Sequence, residues 1–380
     1  MADALTWEVL RELAGFRPEQ GCAITLYLDL DPSVSPTVGD AHTRINSLLD
    51  EAAKSEAASR ETLTHDQREG LRGDLERIRR YFDAEFTRDG AHGVAVFSAG
   101  LDGFWRALTL AEAVPDTIKV GPDFYLAPLV PLADRAQVAI VAVVSREHGE
   151  LYRLRGGRLE ELADRSEEQP RRHDQGGWSQ ARYQRRIDNL AEEHLRSVAE
   201  ELDRLARRLG WPPIVIACPE EQRSDFVALL SFESRAAVAG WTNAEAHASR
   251  ADLLELVRPL FEAWLAEREA EMVERWREEA GRNGRASSGW AATLEAASDG
   301  RVELLLYQDG AGQRAWQCPA CGRGAAEGGE CPLDGTSMEP REDGVDLAVH
   351  HTLGHGGTAW ALRSRRDLEP VEGIGALLRY

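Results

Sequence analysis

Two stretches of this chain fit only inside a core. Gln137-Val138-Ala139-Ile140-Val141-Ala142-Val143-Val144 and Ile214-Val215-Ile216-Ala217-Cys218-Pro219 are apolar almost throughout. A strand with one wet face alternates apolar and polar residues, so a continuous run reads as a strand covered on both faces. Glu150–Leu154 and Arg158–Leu162 flank Gly156-Gly157 and read as a hairpin. Tyr183, Ile187, Leu190, Val198, Leu202, Leu205 and Leu209 form the apolar stripe of a long helix, which Gly210 and Pro212 stop. A short helix at 226–230, a third core strand at Ala236-Ala237-Val238-Ala239 and a charged helix at 251–279 complete the stretch. Strands with helices between them give an α/β unit over residues 132–282. His194 lies on the apolar stripe and reads as a buried, hydrogen-bonded core residue.

A chain of 380 residues exceeds one ordinary core. Residues 1–131 read as an α+β domain: a helix over 5–14, a strand over 23–30, helices near 40–58 and 66–86, and strands 93–97 and 104–110 around the turn 100–103. The proline-rich passage 122–131 reads as a transition. Residues 281–289 read as a linker by composition. Residues 283–380 form a third domain, α/β, with a helix at 290–297, a strand at 302–307, a cysteine cluster, a helix at 345–353 and strands at 358–362 and 374–378.

The formal net charge of −20 argues against wholesale coating of nucleic acid. No apolar run approaches the length of about eighteen residues that a membrane span needs, so no membrane association is expected. The start Met1-Ala2-Asp3-Ala4-Leu5-Thr6 lacks the features of a secretory signal. Five cysteines, three of them clustered, fit a reducing cytoplasm better than a disulfide framework. Cys22 and Cys218 adjoin apolar strands and read as small core residues. There is no Ser/His/Asp order, phosphate-binding lysine loop or dinucleotide fingerprint.

Against this acidic background, residues 165–186 hold six arginines and three acids. They surround His173-Asp174-Gln175-Gly176-Gly177-Trp178-Ser179-Gln180, a glycine turn running into the long helix. Ser179 is the natural N-cap. Gln180 then stands beside free N–H groups at the positive end of the helix dipole. Two preceding residues without side chains let the loop approach a substrate backbone closely. Arg182, Arg185 and Arg186 share one helix face, suited with Arg172 to local phosphate contact. The same residues would also serve as a solvated loop and an ordinary helix start.

Cys318-Pro319-Ala320-Cys321 and Cys331-Pro332-Leu333-Asp334-Gly335 form two short turns of the kind that point ligands inward at tetrahedral zinc. Three thiolates favour zinc over harder ions. The fourth ligand is Asp334, or one of His350, His351 and His355 folded back; a ribbon that has lost its metal is the competing reading. His350, His351 and His355 otherwise read as helix-capping or solvent-exposed residues. Any zinc here is structural, because a closed site leaves no position for substrate.

The glycine loop resembles the catalytic loop of the archaeal and eukaryotic class-1 translation release factors, in which a Gly-Gly-Gln tripeptide enters the ribosomal peptidyl-transferase centre. Gly176, Gly177, Arg182 and Tyr183 fit that pattern. Trp178 stands where the family has glutamine, and Gln180 follows two places later. A similarly displaced glutamine marks the release-factor-like peptidyl-tRNA hydrolases of ribosome quality control. The ending Gly373-Ile374-Gly375-Ala376-Leu377-Leu378-Arg379-Tyr380 resembles the close of the archaeal C-terminal domain. The family's Asn-Ile-Lys-Ser stop-codon motif is missing, and Asn46-Ser47 is no substitute.

The resemblance implies a three-domain architecture with a ribonuclease-H-like middle domain and a zinc-ribbon-like insertion in the C-terminal domain. It implies a cytoplasmic, ribosome-associated peptidyl-tRNA hydrolase with peptidyl-tRNA and ribosomal RNA as partners, and it admits a translational GTPase. Gln180, Gly176 and Gly177 become the catalytic residues; Arg172, Trp178, Arg182, Arg185 and Arg186 become the RNA contacts. Trp178 either stacks on a nucleobase or pins the loop to its own domain. The alternative within the superfamily is a non-hydrolytic hibernation or stress factor that binds the ribosome.

Overall fold

The computed structural model describes residues 3–35, 37–54, 63–88, 90–135, 138–166, 179–243, 248–282 and 284–380. The chain is mixed α/β and divides into two compact units, one of residues 1–136 with 269–380 and the other of residues 137–268.

The second unit is built on a five-stranded sheet ordered Val238–Thr242, Ile214–Ala217, Ala139–Val144, Gly149–Arg155, Arg158–Asp164. The first three strands of that order are parallel; the last two continue as an antiparallel meander. Both faces are covered. Ile140, Ala142, Val144, Ile214 and Ile216 pack against Leu195, Val198, Leu202 and Leu205 of the thirty-residue helix Ser179–Arg208. Val141, Val143, Val215 and Ala217 pack against Leu253, Val257 and Phe261 of helix Arg250–Gly281. The apolar continuity of the central strands has this cause, and each fully buried Val, Leu or Ile contributes roughly 1.5–3 kcal/mol.

The sequence-read third strand is displaced. Ser231 caps a short helix, Phe232–Ala236, and the strand follows at Val238–Thr242. It is half-buried because it is the sheet's edge.

In the first unit, the N-terminal sheet runs Asp3–Ala4, Phe104–Leu110, Gly93–Ala99, Ala23–Asp29, Thr117–Gly121. Ile24, Leu26, Leu28, Val94 and Val96 face helices Val38–Lys54 and His65–Ala84. Tyr27, Ala95 and Phe97 face the other way, into a core shared with Leu294, Leu305, Val349 and Ile374 from the C-terminal part. That part has a four-stranded sheet ordered Ala286–Ser288, Ile374–Leu378, Val302–Gln308, Thr358–Leu362, with helices Trp290–Ser298 and Gly344–Gly354. Residues 286–288, read as linker, pair antiparallel with 375–377.

The proline-rich passage is bound tightly to helix Gly344–Gly354. Asp346, buried, accepts the backbone N–H groups of Leu126 (2.7 Å) and Ala127 (3.0 Å). The Tyr125 hydroxyl donates to Asp343 at 2.9 Å, and His350 Nε2 bonds the Phe124 carbonyl.

His350 and His351 are both buried, in place of the capping or exposed roles read for them. His355 follows the helix, its Nδ1 2.8 Å from the His351 carbonyl. His351 Nε2 has no hydrogen-bond partner among the described residues. Burial, with the nearby positive charges of Arg17, His350 and His355, lowers the His351 pKa to about 4.

A depressed base makes a definite pH signature. The unfolded chain takes up a proton below about pH 6.5, whereas the folded chain does so only near pH 4. The contribution is therefore complete above about pH 6.5 and is lost as pH falls through this window, by about 2 kcal/mol at about pH 5. Denaturant unfolding of the wild type should show this loss and His351→Leu should not. Equal losses in both would remove His351 as the cause.

Candidate functional site

The cysteine-rich segment folds as two matching knuckles on a three-stranded sheet of Gly324–Ala325, Ala315–Gln317 and Glu339–Arg341. In the first, Gly322 N–H donates to the Cys318 carbonyl (2.9 Å) and Cys318 N–H to the Arg323 carbonyl (2.9 Å). In the second, Gly335 N–H donates to the Cys331 carbonyl (2.8 Å) and Cys331 N–H to the Thr336 carbonyl (2.8 Å). Both turns close on a left-handed glycine, Gly322 at φ +80° and Gly335 at φ +73°. Any side chain there would be strained. A glycine follows each C-x-x-C or C-x-x-D in the sequence, and its recurrence is the signal for this pairing.

The knuckles bring Cys318, Cys321, Cys331 and Asp334 together, with one ligand atom of each within 4.8 Å of all the others. Cys321 Sγ lies 3.5 Å from Cys331 Sγ, and Cys318 Sγ lies 3.4 Å from an Asp334 oxygen. A tetrahedron with metal–sulfur bonds of about 2.3 Å has sulfur–sulfur edges of about 3.8 Å, so the set fits a four-coordinate ion. The backbone N–H of Thr336, 2.9 Å away, and then the Thr336 hydroxyl hold the Asp334 carboxyl well below the usual range. Asp334 is thereby kept as an anion ready to ligate. Among the described residues the three C-terminal histidines are not part of this cluster.

The ribbon is fixed to the C-terminal core. Arg323 pairs with Asp299 at 2.6 Å and with Glu295 at 3.6 Å, and Gly324 N–H donates to Ser298 Oγ at 2.9 Å.

The glycine loop is a different matter. Arg172, Gly176, Gly177 and Trp178 lie outside the described residues. The helix begins at Ser179, so Gln180 is its second residue. The side chains of Gln180, Arg182, Arg185 and Arg186 also lie outside the description. Ahead of the loop, Arg165 bonds Glu201 at 3.1 Å, and Arg204 bonds the same carboxylate at 2.5 Å. One arginine of the basic island is thus engaged within the unit.

His194 is buried as expected, but neither ring nitrogen has a partner among the described residues. Gly149 lies against it, and a Cβ there would collide with Val198. Burial pushes the Cys218 thiol up to about 11, consistent with an inert core residue. Cys22 is only half-buried. Among the described residues no helix is long and apolar enough to cross a membrane.

Comparison with known proteins adds to this geometry. The family model described as bacterial archaeo-eukaryotic release factor family 10 matches residues 125–262. The chain is 25% identical over 343 residues to peptide chain release factor subunit 1 of Archaeoglobus fulgidus, covering 85% of this chain and 81% of that protein. Among solved structures, an archaeal translation termination factor aligns over 99% of both chains at 15% identity with a TM-score of 0.27. Pelota of Archaeoglobus fulgidus aligns over 78% of this chain and 82% of its own at 16% identity, with a TM-score of 0.34. By the family model over residues 125–262 and the sequence similarity running through most of its length, the chain is similar to the archaeo-eukaryotic release factors.

Proposed function

We propose that this protein is a ribosome-associated peptidyl-tRNA hydrolase acting in translation rescue or quality control. The observation that carries the reading is the similarity to an archaeal peptide chain release factor over 343 residues. The position of Gln180 in the first turn of a thirty-residue helix supports it. The reaction is hydrolysis of the ester between nascent peptide and terminal ribose. Water attacks the ester carbonyl carbon, the carbon–oxygen bond to the ribose breaks, and the ribose leaves as an alcohol with the proton water gives up. Gly176 and Gly177 let the loop enter a crowded RNA site. The Gln180 amide, with the unpaired N–H groups of the helix start, positions the water and the leaving oxygen. Rate comes from placement and preorganised dipoles rather than from a strong base.

In this reading, the chain has domains 1–131, 132–282 and 283–380. The middle one is ribonuclease-H-like, supported by three parallel strands continued by an antiparallel meander. Cys318, Cys321, Cys331 and Asp334 hold one structural zinc that closes the C-terminal ribbon. The protein works in the cytoplasm with ribosomal RNA, peptidyl-tRNA and a translational GTPase.

The test is incubation with ribosomes carrying labelled peptidyl-tRNA, scoring both binding and peptide release. Release supports the hydrolase. Trp178, at the place of the family's glutamine, favours a second reading as a non-hydrolytic hibernation or stress factor. Binding without release selects that second reading, and neither binding nor release sinks both.

Arg172, Trp178, Arg182, Arg185 and Arg186 are the proposed RNA contacts. Replacing Arg182, Arg185 and Arg186 together by Gln should weaken ribosome binding and lower the slope of log affinity against log salt by about 2, because fewer counterions are released. An unchanged slope would leave this face as a solvated helix side.

A further inference from the structure

We propose that Cys321 is an oxidation site, and that peroxide joins it to Cys331 in a disulfide that expels the metal. This rests on the zinc reading above.

Three observations carry it. The ligands are unequally protected: Cys318 and Cys331 are buried, whereas Cys321 is exposed. A thiolate open to solvent is the one an oxidant reaches. A short sulfur–sulfur contact also joins the two knuckles. Cys321 Sγ is 3.5 Å from Cys331 Sγ, while Cys318 Sγ faces the Asp334 carboxylate at 3.4 Å. A disulfide of about 2.05 Å needs the Cys321 and Cys331 sulfurs to close by only about 1.5 Å. Finally, the ligand set has three thiolates and a carboxylate. Losing two thiolates leaves Cys318 and Asp334, one soft ligand and one hard, which is too little to retain zinc.

The chemistry balances with one peroxide. The Cys321 thiolate attacks a peroxide oxygen, the O–O bond breaks, and Cys321 becomes a sulfenic acid as hydroxide leaves. Cys331 Sγ then attacks Cys321 Sγ, the S–O bond breaks, and hydroxide departs as water with a proton from the medium. Both thiolates are oxidised by two electrons in total, peroxide is reduced to two waters, and zinc leaves as the divalent ion.

The experiment uses the full-length wild-type protein purified without chelator. Elemental analysis comes first, then hydrogen peroxide, with zinc followed by a colorimetric chelator and the disulfide mapped by mass spectrometry. The expected result is one zinc released for each Cys321–Cys331 bond formed, with Cys318 still open to alkylation. Dithiothreitol and zinc should restore the starting state. Zinc held through peroxide overturns the inference and leaves the metal reading standing. A Cys318–Cys321 bond, or over-oxidation of Cys321 without any bond, also overturns it. A chain with no zinc before peroxide overturns the metal reading, and the inference with it.

Discussion

Gln180→Ala should slow peptide release on the order of 10²–10³-fold in single-turnover assays while leaving ribosome affinity nearly unchanged. The magnitude is that of removing one preorganised donor from a site whose rate comes from fixed dipoles. The separation between rate and affinity follows from the small neutral amide: it offers little to ground-state binding, which in the proposed reading falls to the arginines on the helix. The substitution should not disturb the fold. Ala is the best helix former, and Gln180 lies in the first turn of Ser179–Arg208, ahead of the buried residues Leu195, Val198 and Leu202. An unchanged rate would dismiss Gln180 and turn attention to Gln175 and Gln184. A lost rate with equally lost affinity would mean that the variant reports docking, not chemistry.

Cys331→Ser should take zinc from one per chain to none. Structural zinc in small Cys/His domains binds with about 10–16 kcal/mol, and ligand loss removes the folding energy that depends on it. Cys331 is the buried member of the second knuckle and packs with Cys318 and Met338, so the ribbon has little other core. The rest of the unit has a separate one, with Leu294, Leu305, Val349 and Ile374 fully buried. Hydrogen exchange should therefore quicken in the three small strands Ala315–Gln317, Gly324–Ala325 and Glu339–Arg341, while Val302–Gln308 stays protected. A wild-type chain without zinc would strike out the metal assignment. Zinc retained by Asp334→Ala but lost on replacing one of His350, His351 or His355 would move the fourth ligand, against the geometry that places Asp334 beside Cys318.

The elements written most plainly in the sequence were those whose signal is local. Ala139–Val144 and Ile214–Ala217 are buried on both faces, so every residue is under the same apolar demand. The long helix shows its stripe over eight turns and ends where Gly210 takes φ +77°. The cysteine knuckles were legible because each closes within a few residues. The elements missed or displaced were edges. Thr117–Gly121 is half-buried and obtains its partner from Ala23–Asp29, nearly a hundred residues earlier. Val238–Thr242 lies at the margin of its sheet, where burial imposes no clean pattern. Ser287 and Ser288 looked like linker, and only pairing with Ala376 and Gly375 makes them strand.

The sequence by itself determined the mixed α/β class, the central strands, the major helices and the four residues of the candidate metal centre. Periodicity, capping and short-turn chemistry act within one segment, so they are recorded there. Only the tertiary structure decided that the two sheets of the first unit share one core and that Asp346 holds the backbone of Leu126 and Ala127. It alone also decided that His350 and His351 are buried rather than exposed. Those outcomes depend on groups more than two hundred residues apart, and whether a polar side chain is buried is settled by what packs over it, which no local pattern encodes.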